Sequence, residues 1–348
     1  MTMTALALLP LFVMQGAPDL NKEPDTLREV RAFKKLPSNV RKAAIRQGET
    51  DEDGNVGVNR KQGWVAVRDQ RVVAQSLSMA IAEEDHAAVD KTFRAVKRTF
   101  DRQLADGSFP VNIKERNGRP VPKATYVSSN LFWLKDAVPA LMQLRAWDSK
   151  YKADVDSLRE PIRRAAEFSY GGRQQLFNRD GRNANRMLMN ARSFVQLGFF
   201  LKDQKYVSAG NEFLKEALSL QDRDGVFLED GGGDTSYQSV SIKELAGIYY
   251  LEPRSDVKDA LRRASDWYLM HFLEDGSIDT RGNTRTGIGK SNLDGGEKLG
   301  HHPVSVSRVL AIIADLFPDS KAQSISDQFT KRAYINDRQR NPRDYIKN

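Results

Sequence analysis

Apolar positions recur at helical spacing through most of the chain. Val257, Ala260, Leu261, Ala264, Trp267, Tyr268 and Phe272 mark one face. Ala184, Leu188, Ala191 and Val195 mark a second, and Leu245, Ile248 and Tyr249 a third. A fourth stretch, residues 304–317, reads VSVSRVLAIIADLF and is stopped by Pro318. Strand-like alternation is scarce. The pattern predicts an all-α domain whose helices are separated by long loops.

The breaks between helices repeat. LADGSFP, DRDGVF and LEDGSI each carry an Asp-Gly turn, at Asp106-Gly107, Asp224-Gly225 and Asp275-Gly276. Glycine relieves the backbone after a helix and aspartate supports the turn, so these aspartates are read as turn formers. Asp224 and Asp275 lie 51 residues apart, and Asp106 and Asp224 lie 118 apart, about two such units. Tyr170-Gly171-Gly172 stands where the intermediate break falls. A unit of that length holds two helices and two loops, and it exceeds the period of tetratricopeptide or ankyrin arrays. The turns and the alternation from about residue 70 to 330 resemble an α/α toroid, an incomplete or closed barrel of helix hairpins. Similar turns occur in terpene cyclases, glycoside hydrolases and toroid polysaccharide lyases, so they speak to fold and not to chemistry. The expected toroid spans residues 70–335. Residues 18–69 form a basic helical segment, LREVRAFKKLPSNVRKAAIRQ, read either as a solvated face or as a polyanion contact. Residues 336–348 read as a polar tail.

Charge narrows the partners. The 348 residues carry a net charge of +8, which favours anionic ligands. The chain has no cysteine, which excludes disulfides and thiolate chemistry. The run from Ala5 to Met14 is too short to span a bilayer and is followed by small residues, Gly16 and Ala17. With no Lys or Arg before it, it still resembles a signal-peptide core, so residues 1–17 are expected to direct the protein to a secreted or periplasmic location. No other stretch is apolar enough for membrane insertion. No nucleic-acid module and no basic stripe interleaved with aromatics is present.

Three breaks carry candidate chemistry. Residues 221–239 read QDRDGVFLEDGGGDTSYQS, and three glycines in a row have a conformational cost that suggests close backbone approach. A helix near 239–250 follows, with Ser236 or Ser239 as its expected cap. Residues 170–186 bring Asn183 and Asn185 together with four arginines, more than capping requires. Residues 276–302 form a loop far longer than usual and end in His301-His302. In a toroid these breaks converge on one cleft. Asn185, Tyr237, Arg281 or Arg285, and His301 or His302 then resemble the Asn, Tyr, Arg and His set of alginate, chondroitin and heparin lyases. Two departures stand: Arg186 follows Asn185 where the alginate type pairs Asn with His, and no histidine matches the one before the chondroitin-type tyrosine. Gly232 to Gln238 also resemble the G-G-x-D-x-x-Y-Q loop of uncharacterised toroid proteins.

The resemblance implies a polysaccharide lyase that cleaves an acidic, uronate-containing chain by β-elimination. Tyr237 would be base and acid, Asn185 with Arg281 or Arg285 would hold the carboxylate, and His302 would assist. Arg182, Arg186, Asp234, Gln238 and His301 would bind substrate. No cofactor and no metal is expected, since the histidine pair lacks a third ligand and the calcium-like fragments Asp222–Gly225 and Asp51–Gly54 are incomplete. The alternatives are a toroid glycoside hydrolase using two of Asp106, Glu229, Asp234, Asp275 and Asp279, or a non-catalytic polyanion-binding toroid. A terpene-cyclase reading lacks an aspartate-rich metal motif and has few aromatics in the breaks.

Overall fold

A computed structural model describes residues 18–113, 120–292, 295–334 and 342–347. The expected leader lies outside the described residues. The N-terminal basic stretch forms two helices, α1 (Arg28–Lys34) and α2 (Ser38–Gln47), and not one. Pro37 divides them: it has no N–H to donate, and its ψ of 145° turns the chain. After α3 (Gly57–Gln62) come five helix pairs. The first is α4 (Arg71–Glu83) with α5 (His86–Phe100), and the second begins with α6 (Lys123–Trp147). A short α7 (Lys152–Ser157) leads to α8 (Arg159–Gly171), and α9 (Arg173–Asp180) precedes α10 (Ala184–Leu201) and α11 (Gln204–Ser219). Then follow α12 (Thr235–Leu251), α13 (Ser255–Leu269), α14 (Pro303–Leu316) and α15 (Ala322–Tyr334).

The protein is an all-α toroid. Helices α4, α6, α10, α12 and α14 pack side by side as an inner ring, and α5, α8, α11, α13 and α15 form the outer layer. Burial explains the assignment. In α10, sixteen residues from Ala184 to Leu201 are buried, whereas α13 buries one stripe, Val257, Ala260, Leu261, Ala264, Ser265 and Tyr268. A helix covered on all sides belongs inside, and a one-faced helix belongs on the surface.

The N-terminal segment completes the ring. Helix α2 lies between α4 and α14 and runs antiparallel to α4, with Ser38 bonded to Glu83 and the Ala44 carbonyl accepting from Ser76. Helix α1 closes the lower end. Its Arg28 meets Asp315 at 3.1 Å and lies over the Tyr250 ring at 5.2 Å, both at C-terminal ends of inner helices. The chain's other end also docks: Ile278 and Asp279 pair in parallel with Ile346 and Lys347, and Tyr345 and Ile346 are buried. A sequence window that reads as polar hides these two apolar anchors.

The Asp-Gly turns join neighbouring units. Gly107, Gly225 and Gly276 all have positive φ, at 87°, 95° and 77°. Each presses on the outer helix of the following pair, against the carbonyls of Arg164, Arg263 and Gln328. A side chain has neither the backbone conformation nor the space there.

Candidate functional site

The five inner helices all begin at the upper end, so their partial positive charges converge there. The connections at this end are long, their described parts being residues 101–113, 120–122, 220–234, 270–292 and 295–302, whereas Lys202–Asp203 suffices to join α10 to α11 below.

Asp234 fixes the upper rim. Its Oδ1 accepts from the Ser236 and Tyr237 N–H groups at 3.0 and 3.2 Å and from the Thr286 hydroxyl at 2.8 Å. Its Oδ2 accepts from the Arg285 and Thr286 N–H groups at 2.9 and 2.7 Å. Asp234, and not Ser236 or Ser239, is therefore the cap of α12, and it also ties the long loop to that helix. The glycine run serves the same junction. Thr284 N–H donates to the Gly233 carbonyl at 3.0 Å, and a Cβ at Gly232 would strike the Thr284 side chain.

Glu229 lies five residues before Asp234 and is fully buried. Its Oε1 accepts from the Asn185 N–H at 2.8 Å, which caps α10 in place of Asn183, whose side chain makes no capping bond. Its Oε2 faces the Arg285 guanidinium at 3.3 Å. Burial pushes this carboxyl up to about 7, against the pull of the Asn185 N–H and of Arg285 and Arg186.

Cations rest on aromatic rings around it. Arg285 and Lys298 lie over Tyr237, at 4.5 and 5.2 Å from the ring centre. Arg186 and Arg71 lie over Phe132, at 4.7 and 5.9 Å. Burial lowers the pKa of Arg186, and Asp180, Tyr237 and Glu229 partly restore it, so the two clusters lie within electrostatic reach of each other.

The structure thus brings Tyr237, Arg186 and Arg285 together. Asn185 contributes its backbone N–H, and its buried side-chain oxygen has no hydrogen-bond partner. Arg182 is exposed, and its carbonyl accepts from Asp230. Gln238 is occupied within the fold, accepting from Phe227 N–H and donating to the Gly225 and Ala264 carbonyls. Arg281 is exposed and forks onto Asp279 at 2.6 Å. His302 meets the Gln47 amide at 3.1 Å, on the seam with α2. His301 is buried, with Nε2 2.8 Å from the Thr235 hydroxyl, and burial lowers its pKa to about 4. Asn283 donates to the same hydroxyl oxygen at 2.8 Å, so Thr235 joins the long loop to His301.

Below the mouth the ring encloses charge. Lys135 meets Asp136 at 2.7 Å and Glu244 at 3.3 Å. Glu244 also holds Lys243 and Arg192, both at 3.2 Å, and Arg192 lies 3.7 Å from Glu29. Sequence reasoning missed this cluster, and it missed Phe132, Arg71 and Lys298. A signal existed for the interior: Lys135-Asp136, Arg192, Lys243-Glu244 and Arg308 each interrupt an otherwise apolar helix. Among the described residues no group of three or more His, Cys, Asp or Glu side chains is arranged to hold a metal ion. No described helix is long and apolar enough to cross a membrane.

No family model matches the sequence, and no curated protein does. Among solved structures the chain is similar to the ent-copalyl diphosphate synthase from Streptomyces platensis, at 16% identity and a TM-score of 0.45. The match covers 84% of this chain and 49% of that one, so the chain spans about half the length of that structure.

The expectation of a uronate lyase, with its hydrolase and polyanion-toroid alternatives, is corrected here. The geometry leaves the expected chemistry unsupported. His301 is held neutral by burial, Arg281 is engaged by Asp279, and His302 is engaged by Gln47. For hydrolysis, Asp234 is surrounded by hydrogen bonds of the fold and is not free to act beside Glu229.

Proposed function

We propose that the upper mouth binds a small ligand with an anionic group, carboxylate or phosphate, on a flat or apolar body, and that Glu229 exchanges a proton with it. The observation that supports this most is the resting place of the cations. Arg186, Arg285 and Lys298 lie on the faces of Phe132 and Tyr237, where they can turn to an incoming anion while the rings accept its body. The converging helix N-termini favour the same sign of charge.

Glu229 supplies the acid–base step. A carboxyl near neutrality can give or take a proton at ordinary pH. It has no exposed surface, and Arg285, about a third exposed, stands beside it. An anion that draws Arg285 away removes a cation from Glu229 and strengthens its hold on the proton.

The test is calorimetric titration with sugar phosphates, short uronates, an isoprenoid diphosphate and neutral sugars of matching size. Binding is expected for an anionic member, with affinity falling as salt rises and at least tenfold loss in Arg186→Met. Glu229→Gln should keep binding and abolish proton uptake, read as the dependence of binding heat on buffer ionisation. Equal binding of neutral sugars would remove this reading. An acidic saccharide, the partner expected from the charge balance, enters as one arm of the panel. Export, expected from residues 1–17, is likewise proposed, and a mature N-terminus near Pro18 by terminal sequencing would support it.

A further inference from the structure

Arg308 is the exception inside the ring. It lies on α14, it is 7% exposed, and it makes no hydrogen bond and no ion pair within 4.0 Å among the described residues. Its guanidinium rests over the Phe33 ring at 4.9 Å, and its Nε is buried without a partner. The carboxylates that act on it, Glu29, Asp136 and Glu244, lie beyond ion-pair distance. They are engaged elsewhere: Glu244 by Lys135, Lys243 and Arg192, Asp136 by Lys135, and Glu29 by Arg192 and the Gln143 amide.

Among the described residues the interior therefore holds four cations, Lys135, Arg192, Lys243 and Arg308, and three carboxylates, Glu29, Asp136 and Glu244. Cations hold both Asp136 and Glu244 below the usual carboxylate range, so these two stay ionised. Lys243 lies on the neighbouring helix with its side chain 15% exposed, and Arg308 is among the cations that repel it. A buried guanidinium with no counter-charge is unfavourable unless something else supplies one.

We propose that a small anionic group seats inside the ring between Arg308 and Lys243, completing the charge balance of the interior. Phosphate and chloride share the required chemistry, and so does the acid end of a ligand that enters through the mouth. The proposal stands apart from the mouth reading, since a free ion needs none of the mouth's residues.

The experiment uses the full chain in a zwitterionic buffer free of chloride and phosphate. Inorganic phosphate and, separately, chloride are titrated while the thermal midpoint is followed. The parent protein is expected to gain several degrees with a saturable dependence. Arg308→Met should show no saturable gain, and without anion it should melt at or above the parent temperature, because an unpaired buried cation has been removed. Arg308→Lys should keep part of the response. An unchanged response in Arg186→Met supports the interior seat, whereas loss of the response there places the ion at the mouth and overturns the proposal. The proposal fails if the parent shows no saturable gain, or if Arg308→Met responds as the parent does. It also fails if Arg308→Met melts lower or does not fold without anion while Lys243→Met responds to phosphate as the parent does.

Discussion

At the lower end of the ring, short connections such as Lys202–Asp203 join inner to outer helices, and α1 covers the opening with Arg28 paired to Asp315. At the upper end, the connections are long and the helix N-termini face outward. Charged side chains occupy both the interior and the mouth, but they meet different partners. Inside, Lys135, Lys243 and Arg192 lie against carboxylates. At the mouth, Arg186 and Lys298 lie against aromatic rings. A cation held by a buried carboxylate is part of the fold, because removing either partner strands a charge. A cation resting on a ring gives up little when an anion draws it away. Arg285, over the Tyr237 ring and 3.3 Å from Glu229, belongs to both; for the others the partner, not the residue type, separates scaffold from site.

Four tests probe that contrast. Glu244→Ala should have the largest effect, because it strands Lys243 and takes one of two carboxylates from Lys135 and Arg192; a loss of about 3–5 kcal/mol is expected from urea unfolding. A loss below about 1 kcal/mol would mean that water already solvates the interior. Gly225→Ala comes next. It places a methyl group against the Arg263 carbonyl at a φ of 95°, and about 2–4 kcal/mol should be lost.

The third test uses pH. Glu229 is raised from 4.5 to about 7, so the unfolded chain ionises first and stability falls as pH rises through that interval. His301 is lowered from 6.5 to about 4, so the unfolded chain protonates first and stability falls as pH drops through that interval. The two slopes oppose each other, and the parent should be nearly flat where they overlap. Glu229→Gln should unmask loss on acidification, and His301→Gln loss on alkalinisation, each on the order of 3 kcal/mol across its interval by chemical denaturation. Parallel pH profiles for the two variants would contradict the assignment. The smallest stability effect belongs to Arg186→Met, expected within about 1 kcal/mol by the same measurement because the cation–π contact is its main loss. A larger loss would move Arg186 from the site to the scaffold.

The fold was legible because its signals are local. The Asp-Gly turns and the apolar faces of α10, α12, α13 and α14 each lie within a few residues of sequence. Tyr237, Arg186 and Arg285 were legible as members of the breaks, although Tyr237 and Arg186 lie in the first turns of α12 and α10. The roles of the acids were not. Asp234 and Glu229 sit in one glycine-rich loop, yet Asp234 collects five hydrogen bonds, two from the start of the next helix and three from Arg285 and Thr286, and Glu229 meets one N–H and one guanidinium. That difference depends on Thr286 and Arg285, more than fifty residues away. Charges in the interior were hidden for the same reason, since burial of Lys135 or Arg308 follows from ring closure and not from neighbouring residues.

Helix α2 has a consequence in time. It fills the wall between α4 and α14, so this element must wait for one made much later along the chain. The intervening pairs can form in the order they emerge, but the ring stays open until α14 arrives. Until then the apolar flank of α4 that α2 covers on one side has no closed wall beside it, and Arg308 has not met Phe33. Closure of the ring and completion of its interior are therefore a single late event, and a nascent chain stalled before Pro303 would present an open barrel to solvent.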